Sequence, residues 1–560
     1  MNRFVDRNLQ YQKALLLILP LLYFIAGSYF RNLLGNLSLR SCDPEYIYFM
    51  SGLTLSDGAI KLGHFDNPGT PLQILVALVF KLTYFFRNPA IPYLEDVFLH
   101  PDMYLSVVSL FLAAITGGLI FYAGHKVFQS TKSIFYAVLV QTAPFLPIIW
   151  YDLIGRVAPE LVMPFPVILL TVLLIQIYFR KEEFTWKSVL LLAFFSAFGL
   201  SIKLTFLPLW FLPFIVIEGW KKKLGFVVSA FLMFFIIAFP MTLQFGYFWG
   251  WVKNLFMHSG QYGAGDTNVI DFASLKTNLK ELYGYEKRYF YVFFSLIGVL
   301  IVYLGWFRKK AEKRIVLFSL ALIISISLQI AMVGKHYAHR YFIPVLMLSP
   351  LLVFTIAEMI KKFYSKRITR YLINIGIVLL LIGNVQFHKQ WLPIKTNALE
   401  TEMESRRATW HAAQALDKDC YKIIASQNYG APFIEYTLFY SMVWGNHKKQ
   451  EEYKPILDQL YPNAYSHFTW DNSMKYWGEK FNVQRIIDSG KKTYLYLERN
   501  EEELYNKTLT KLKEEDGSTF ETNRELVYQN PKTSEIIYQL NFSRFENNTD
   551  SLELNVSVGY

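Results

Sequence analysis

Long apolar runs separated by short polar loops dominate the first two-thirds of this chain of 560 residues. A helix needs about 20 mostly apolar residues to cross a bilayer, because each backbone polar group in lipid must be satisfied within its own segment. By this length the sequence predicts about eleven membrane-spanning helices. They cover residues 13–30, 104–124, 133–151, 159–179, 187–202, 204–220, 224–243, 289–307, 315–333, 341–360 and 371–388. We therefore expect a polytopic α-helical membrane protein.

The charges of the loops predict how these spans are oriented. Cytoplasmic loops of membrane proteins are enriched in Lys and Arg. With the N-terminus in the cytoplasm, every predicted inner loop is basic; the clusters are Arg3/Arg7/Lys13, Lys126/Lys132, Arg180/Lys181/Lys187, Lys221/Lys222/Lys223, Arg308/Lys309/Lys310/Lys313/Arg314 and Lys361/Lys362/Lys366/Arg367/Arg370. This pattern predicts a multi-pass protein of the cell (inner or plasma) membrane with an extracytoplasmic C-terminus. The net charge of +12 fits loops that face anionic membrane lipids, so it requires no nucleic-acid partner.

Composition changes near His388, where the long apolar runs give way to a charge distribution typical of a water-soluble domain. The predicted domains are a membrane domain at 1–390 and a soluble extracytoplasmic domain at 391–560. Within the second domain, 422–426 and 492–498 are predicted strands, the latter because apolar and polar residues alternate along it. We expect this domain to be α/β or α+β.

The first outer loop, at about 31–103, is too long for a simple connector. Its apolar run at 72–86 contains Lys81, which favours a helix lying in the membrane interface over a further span. Two prolines and a glycine in the preceding stretch 64–71 predict a rigid bend that delivers this helix. The loop is therefore expected to cover part of the outer leaflet.

An acidic pair, Asp43 and Glu45, lies just outside the first predicted span. A carboxylate at the membrane boundary is partly desolvated, which raises its pKa toward a value useful for a general base. Pro44 disfavours a helical conformation at Asp43, so an extended segment would point both acids the same way. Asp43 is the predicted base and Glu45 its catalytic companion. The alternative is a solvated loop pair or a helix N-terminal cap.

A second acid, Glu160, follows Pro159 at the predicted start of span four. Glu160 is predicted to orient the base or the acceptor, although a carboxylate in a first helical turn is also stabilised by the helix dipole. Arg156 lies four residues earlier and is expected either to pair with Glu160 or to bind phosphate.

Cations at the outer ends of other spans are predicted to bind phosphate. Arg340 suits bidentate contacts, whereas Lys203 and Lys335 supply point charges; snorkelling to the interface is the alternative for each. Lys203 interrupts an apolar stretch, and because a charged side chain within a membrane segment is energetically costly, a functional role is favoured for it.

Histidines and an aspartate complete the candidate substrate-binding set. His64 and His339 are histidines of the outer loops, and Asp66 is either a substrate contact or a turn residue before Pro68. His336 and His339 are three residues apart, but no third clustered ligand accompanies them, so no metal is expected.

Two features of the outer side remain open from sequence. The Gly-, Tyr- and Trp-rich loop at 244–288, with its glycine-rich part at 259–266, is either a mobile lid over a membrane cavity or an ordinary flexible loop. Cys42 and Cys420 both lie outside by this topology, so they are either a disulfide pair or two unrelated thiols.

Together these motifs resemble the GT-C superfamily of integral membrane glycosyltransferases, especially the branch of the protein O-mannosyltransferases and lipid A aminoarabinose transferases. The resemblance covers about 10–390. It is carried by Asp43-x-x-Tyr46 with Asp57-Gly58, by Asp66-Asn67-Pro68, by Pro159-Glu160 and by the stretch 335–344, in that order and on one side of the membrane. Relatives often have a basic residue or histidine where this chain has Asn67, so His64 would have to replace it.

The resemblance implies an inverting transfer of a sugar from a polyprenyl-phosphate donor to a hydroxyl of a lipid, glycan or protein acceptor at the outer face of the membrane. It makes Asp43 the counterpart of the family's essential first-loop aspartate, and it implies no cofactor beyond the lipid-phosphate sugar. Two alternatives share this donor: a transporter or flippase of a lipid-linked sugar, and a polymerase or ligase of surface polysaccharide.

Overall fold

The computed structural model describes residues 14–40, 42–64, 67–146, 149–180, 184–259, 263, 265, 267–268, 271–307, 312–363, 367–427, 430–445 and 449–544. Up to residue 414, the described chain is mostly helical. The α-helices there are Ile18–Leu34, Glu45–Ser56, Thr70–Arg87, Tyr93–Leu99, Pro101–Thr131, Ile134–Gln141, Trp150–Leu153, Pro164–Arg180, Trp186–Ile202, Phe211–Val216, Trp220–Ile237, Phe239–Thr242, Phe245–Met257, Phe272–Tyr285, Lys287–Phe307, Lys313–Lys335, Ile343–Leu346, Ser349–Phe363 and Arg367–Gln414.

Helices long and apolar enough to cross a membrane recur along this part of the chain. Among the described residues, seven helical segments meet that length and composition: Thr70–Arg87, Pro101–Thr131, Pro159–Phe179, Lys287–Phe307, Lys313–Lys335, His339–Phe363 and Ile368–Gln414. Shorter apolar helices are Ile18–Leu34, Trp186–Ile202 and Leu204–Val216. With Trp220–Ile237 and Ile134–Gln141, helical segments lie at all eleven predicted spans. The prediction of a polytopic helical protein is confirmed.

The third predicted span, 133–151, is not one continuous helix. The helix Ile134–Gln141 is followed by the 3₁₀ turn Ala143–Phe145, and Trp150–Leu153 forms a separate short helix. Pro144 lies in the 3₁₀ turn, and a proline inside a helix removes a backbone donor and clashes with the preceding turn. A continuous span here was therefore the wrong expectation.

The predicted helix of the first outer loop is present as Thr70–Arg87. It begins after Gly69, which has a φ of 61°, and carries Pro71 in its first turn, where a missing amide is tolerated. Large apolar side chains are exposed along it: Ile74, Leu78, Leu82, Phe85 and Phe86. Such a stripe fits a lipid environment, and placement in the membrane interface stays a prediction.

The chain divides into two compact units. The first contains residues 1–35, 47–400 and 443–448, and the second contains 36–46, 401–442 and 449–560. The change between them comes at 400, ten residues beyond the boundary expected from composition. A short segment of the first outer loop, Asn36–Tyr46, also packs in the second unit.

The second unit is built on a six-stranded mixed sheet of strand order β3-β2-β1-β4-β6-β5. Its strands are β1 (Tyr421–Ser426), β2 (Ala464–Phe468), β3 (Ser473–Lys475), β4 (Thr493–Leu497), β5 (Phe520–Gln529) and β6 (Ile536–Arg544). The central strand β1 runs parallel to β2 and β4, whereas β3, β5 and β6 pair antiparallel at the two edges. Helices connect the parallel strands, so the predicted α/β class and both predicted strands are confirmed.

Cys42 and Cys420 form no disulfide with each other in this structure. Each is buried, and burial raises the pKa of Cys420 to about 11 and that of Cys42 well above its ordinary value. A thiol with a raised pKa is rarely ionised at neutral pH and is therefore a poor nucleophile. Of the two alternatives left open by the sequence, the structure supports two unrelated buried thiols.

Candidate functional site

An ion pair between Glu160 and Lys203 lies within the helical unit. The lysine Nζ is 2.5 Å from Oε1 of Glu160, and only 5% and 3% of the two side chains are exposed. Glu160 belongs to the 3₁₀ turn Pro159–Leu161, and Lys203 follows directly after the helix Trp186–Ile202. An isolated buried charge is very costly, so each of these groups requires the other.

The backbone explains why Lys203 can reach this position. It adopts an extended conformation, with φ of −160° and ψ of 137°, between the end of one helix and the 3₁₀ helix Leu204–Trp210. The sequence expectation that this lysine separates two helical segments is confirmed. Its ammonium also lies 4.7 Å from the ring centroid of Tyr341, a distance suited to a cation–π contact.

A second cation, Arg340, lies beside the same carboxylate. Its Nε is 3.8 Å from Oε1 of Glu160, and a third of its side chain is exposed. Arg340 belongs to the 3₁₀ helix His339–Phe342, and its guanidinium carbon is 5.8 Å from the Tyr341 ring centroid. Two cations against one carboxylate leave this group of side chains with a net positive charge. Such a site favours an anion, and a partly exposed arginine beside a buried lysine suits a phosphate group.

A further acid, Glu286, lies at the same 3₁₀ helix and was not identified from the sequence. Its Oε1 is 2.7 Å from Nε2 of His339, whose ring stacks on Tyr285 with centroids 5.1 Å apart. Burial raises the pKa of the Glu286 carboxyl, and the interaction with His339 partly offsets this effect. The sequence signal that could have identified it is its position as an acid just before the predicted span 289–307. Glu286 holds the imidazole of the predicted substrate-binding residue His339.

The predicted phosphate-binding residue Lys335 and its neighbour His336 have a different environment. Lys335 Nζ donates to the carbonyl oxygens of Leu255 and Phe256 at 2.8 and 2.7 Å, and His336 Nε2 is 2.7 Å from the Leu255 oxygen. These carbonyls lie in the last turn of the helix Phe245–Met257, where intrahelical donors run out. Lys335 therefore caps a helix in this structure, and phosphate binding by it remains a prediction.

The turn before Glu160 is held against the first helix through Gly155. This glycine has a φ of +85°, and its carbonyl accepts a hydrogen bond from Nη1 of Arg31 at 3.3 Å. Arg156, the next residue, is half-buried, and its backbone amide donates to the Leu153 carbonyl at 3.0 Å. Its predicted partnership with Glu160 or phosphate stays a prediction.

Replacing Gly155 with alanine is expected to destabilise this turn by about 1–3 kcal/mol. An added Cβ would lie 2.6 Å from the Arg31 nitrogen and 2.8 Å from the Phe30 carbonyl carbon, both backbone atoms that cannot rotate away. The measurement is the thermal unfolding midpoint of the purified protein. Gly58→Ala is the matched control, because Gly58 has a φ of +88° but no atom within 4 Å of the added Cβ. Equal shifts for the two variants would contradict close packing at Gly155.

The long helix Arg367–Gln414 contributes two further contacts to this turn. His388 Nδ1 is hydrogen-bonded to the Tyr151 hydroxyl, and Lys395 Nζ donates to both carboxylate oxygens of Asp152 at 2.9 and 3.0 Å. Neither partner was expected to have a role from the sequence, because their separations along the chain exceed 230 residues. They fix the connection that leads into Glu160.

The acidic pair of the first outer loop differs from its predicted geometry. Asp43 lies in a turn and is partly exposed, whereas Glu45 is fully buried in the first turn of the helix Glu45–Ser56. The expectation of one extended segment that points both acids the same way is wrong. A carboxylate in a first helical turn is stabilised by the helix dipole, which favours the helical start over the extended conformation. The catalytic roles of Asp43 and Glu45 stay predictions.

The remaining predicted residues are placed as follows. His64 is partly buried, with its ring edge-on to Tyr48 at a centroid distance of 5.4 Å, and its carbonyl accepts from Gln73 Nε2 at 2.8 Å. Asp66 lies outside the described residues, as does most of the proposed lid at 259–266. Across the described part of the chain, no three His, Cys, Asp or Glu side chains are grouped as metal ligands.

The apolar helices and this cationic cluster define a polytopic helical membrane protein with a buried, charged site at the ends of several helices. No family model matches the chain, and no curated protein matches it. Among solved structures, it is similar to ArnT from Cupriavidus metallidurans bound to undecaprenyl phosphate. The two chains are 10% identical, with a TM-score of 0.46, over 93% of this chain and 97% of that one.

Proposed function

We propose that this protein is an inverting glycosyltransferase that moves a sugar from a polyprenyl-phosphate donor to an acceptor hydroxyl at the outer face of the membrane. The observation that carries the proposal is the net positive group formed by Lys203, Arg340 and Glu160. It lies at the ends of apolar helices, where a lipid-borne phosphate is an accessible anion. The first-loop motif that resembles membrane glycosyltransferases supports the same conclusion.

The proposed reaction is a single displacement. The acceptor oxygen attacks the anomeric carbon of the sugar, and its proton passes to the Asp43 carboxylate. The bond between that carbon and the phosphate oxygen breaks, and polyprenyl phosphate leaves with the bonding electrons. Attack from the side opposite the leaving group inverts the anomeric centre. The displacement conserves atoms and electrons, so it needs no oxidant, reductant or further co-reactant.

Lys203 and Arg340 are proposed to stabilise the negative charge that develops on the departing phosphate. Preorganised charges aimed at a developing anion are among the largest contributions to enzymatic rate. Glu160 pairs with Lys203 and orients it in a buried position, since an unpaired buried ammonium would be strongly disfavoured. The stacked His339, held by Glu286, is proposed to contact the sugar or phosphate from the same 3₁₀ helix as Arg340.

A transporter or flippase would bind the same lipid-linked sugar, but its charged residues would lie at a different depth in the membrane. Transporters bind substrates near the bilayer midplane, where broken helices of two internal repeats meet. In this chain, Glu160 and Arg340 lie in the first turns of long apolar segments, Pro159–Phe179 and His339–Phe363. Charged residues at segment ends favour chemistry at a membrane surface over passage through it.

The proposal is tested by mass spectrometry of envelope lipids, glycans and glycoproteins from cells with and without this protein. We expect one class of molecule to lose the mass of a single sugar when the protein is absent. Wild-type protein supplied from a plasmid should restore that mass, whereas the Asp43→Asn variant at equal abundance should not. Identical envelope profiles in all strains would overturn the proposed function.

A further inference from the structure

The segment that carries Asp43 packs in the C-terminal unit. Residues 36–46 belong to the second compact unit, although the residues on both sides of them along the chain belong to the first. Leu37, Ser38 and Leu39 form a 3₁₀ turn and are all buried. An eleven-residue stretch of the first outer loop is therefore a structural part of the soluble unit.

One side of this segment is held by the helix Arg367–Gln414. Arg406 Nη1 donates to the Leu39 carbonyl at 2.9 Å. Glu402, one turn earlier on the helix, contacts both Arg406 Nε at 3.3 Å and Arg40 Nε at 3.4 Å. The carboxylate thus joins the helix to the segment, and it orients the arginine that binds the segment's backbone.

The other side is held by the loop that follows the central strand β1. The Ala431 amide donates to the Ser38 carbonyl at 3.3 Å. A Cβ added to Gly430 would lie 2.9 Å from the Arg40 carbonyl carbon and 3.0 Å from the Leu39 oxygen, so only glycine allows this approach. In open sheets of parallel strands, functional groups collect at the carboxyl ends of the strands, which is where this loop lies.

The residues that flank the Asp43 turn are buried, whereas Asp43 itself is partly exposed. Cys42 and Tyr46 are fully buried, and the Tyr46 amide donates to the Cys42 carbonyl at 2.9 Å. Asp43, in the turn between them, is only partly buried. A carboxylate on a short turn with both flanks anchored keeps few conformations, as a preorganised catalytic group requires.

We infer that the C-terminal unit acts as the positioning scaffold for the catalytic base, with Arg406, Glu402 and Gly430 as the positioning residues that hold the Asp43 turn. The inference rests on the proposed function and gives the soluble unit a role within it. Arg406 and Glu402 touch the segment and not the reacting atoms, so they act through Asp43.

The test uses the full-length chain, with Arg406→Met, Arg406→Lys and Gly430→Ala as variants. Methionine removes the donor to the Leu39 carbonyl, whereas lysine keeps a donor. The methyl group added by Gly430→Ala forces the segment backbone to shift, because it would lie 2.9 Å from the Arg40 carbonyl carbon. Arg524→Met is the matched control, because Arg524 forms an exposed ion pair with Glu502 elsewhere in the same unit.

The readouts are kcat and KM for sugar transfer and the binding of polyprenyl phosphate in nanodiscs. A small misplacement of a catalytic group lowers kcat by about 10- to 100-fold, which is the loss we expect for Arg406→Met and Gly430→Ala. Arg406→Lys should recover most of the rate. Polyprenyl phosphate binding should remain within about twofold of wild type for all variants, because the substituted residues hold the Asp43 turn and are not proposed to bind phosphate.

A second readout separates positioning from general damage. In an Asp43→Asn background, Arg406→Met should lower the residual rate no further, because two residues that act through one group are not additive. An unchanged kcat for Arg406→Met and Gly430→Ala, or losses that multiply with Asp43→Asn, would overturn the inference. The proposed function fails separately, if the wild-type chain transfers no sugar from a polyprenyl-phosphate donor.

Discussion

Replacement of Asp43 by asparagine is expected to lower sugar transfer by about 100- to 10,000-fold, the range that a general base contributes. Asparagine has nearly the same shape but cannot accept the hydroxyl proton at neutral pH. The partly exposed turn that holds Asp43 has its flanks anchored by Cys42 and Tyr46, so folding should be unaffected. The measurement is the initial rate of transfer at saturating donor, together with the thermal unfolding midpoint.

Asp419→Asn is the control for a generic loss of negative charge. Asp419 lies in the same unit as Asp43 and is an exposed partner of Lys491, so its substitution should leave the rate unchanged. If Asp43→Asn retains the wild-type rate, Asp43 is not the base. A fall in the unfolding midpoint that matches the loss of rate would point instead to misfolding.

Replacement of Lys203 by methionine should give the largest combined loss of stability and activity. It leaves Glu160 as an uncompensated buried carboxylate, and breaking a buried pair in this way costs about 3–5 kcal/mol. It also removes one cation from the developing phosphate charge, for which we expect a further loss of about 100- to 1,000-fold in kcat/KM. Unfolding midpoint and donor kinetics are measured on the same preparation.

The double variant Lys203→Met with Glu160→Gln separates the two effects. Removing both charges together relieves the buried imbalance, so stability should largely return. Activity should stay low, because the phosphate has still lost its cation. The comparison pair is Lys361 with Glu358, also within the helical unit, and Lys361→Met should leave transfer unchanged. Recovery of activity in the double variant would show that Lys203 serves only the structure.

Much of this fold follows from local sequence. The length of apolar runs predicts the helices, because backbone groups in lipid leave few other conformations. Lys203 interrupts one such run, and the break between Trp186–Ile202 and Leu204–Val216 lies there. The alternation of apolar and polar residues along 492–498 predicts β4, because successive side chains of a strand point to opposite faces. Each of these signals is contained in one short stretch of chain.

The site depends on contacts between distant stretches, which local sequence does not encode. Glu160 and Lys203 are 43 residues apart, and Arg340 approaches from a third element. Lys335 carries the same charge as Lys203, yet it caps the helix Phe245–Met257. Only the arrangement of the helices decides which cation meets a carboxylate and which meets carbonyl oxygens.

The acidic pair shows how a local rule can be outweighed. Pro44 disfavours a helical Asp43, and Asp43 is indeed not helical. The same proline places no such limit on the following residue, so Glu45 starts a helix and is buried within it. The packing of residues 36–46 in the C-terminal unit had no signal in the sequence of the first outer loop.

The most direct test of the central claim is the fate of the donor lipid. Purified protein in nanodiscs is given a polyprenyl-phosphate sugar with an isotope label in the lipid, together with an extract of envelope acceptors. We predict that free polyprenyl phosphate appears in a one-to-one ratio with transferred sugar, and that Lys203→Met and Asp43→Asn both suppress it. Recovery of all the label as intact donor, whether or not the donor has moved to the other leaflet, would contradict glycosyl transfer.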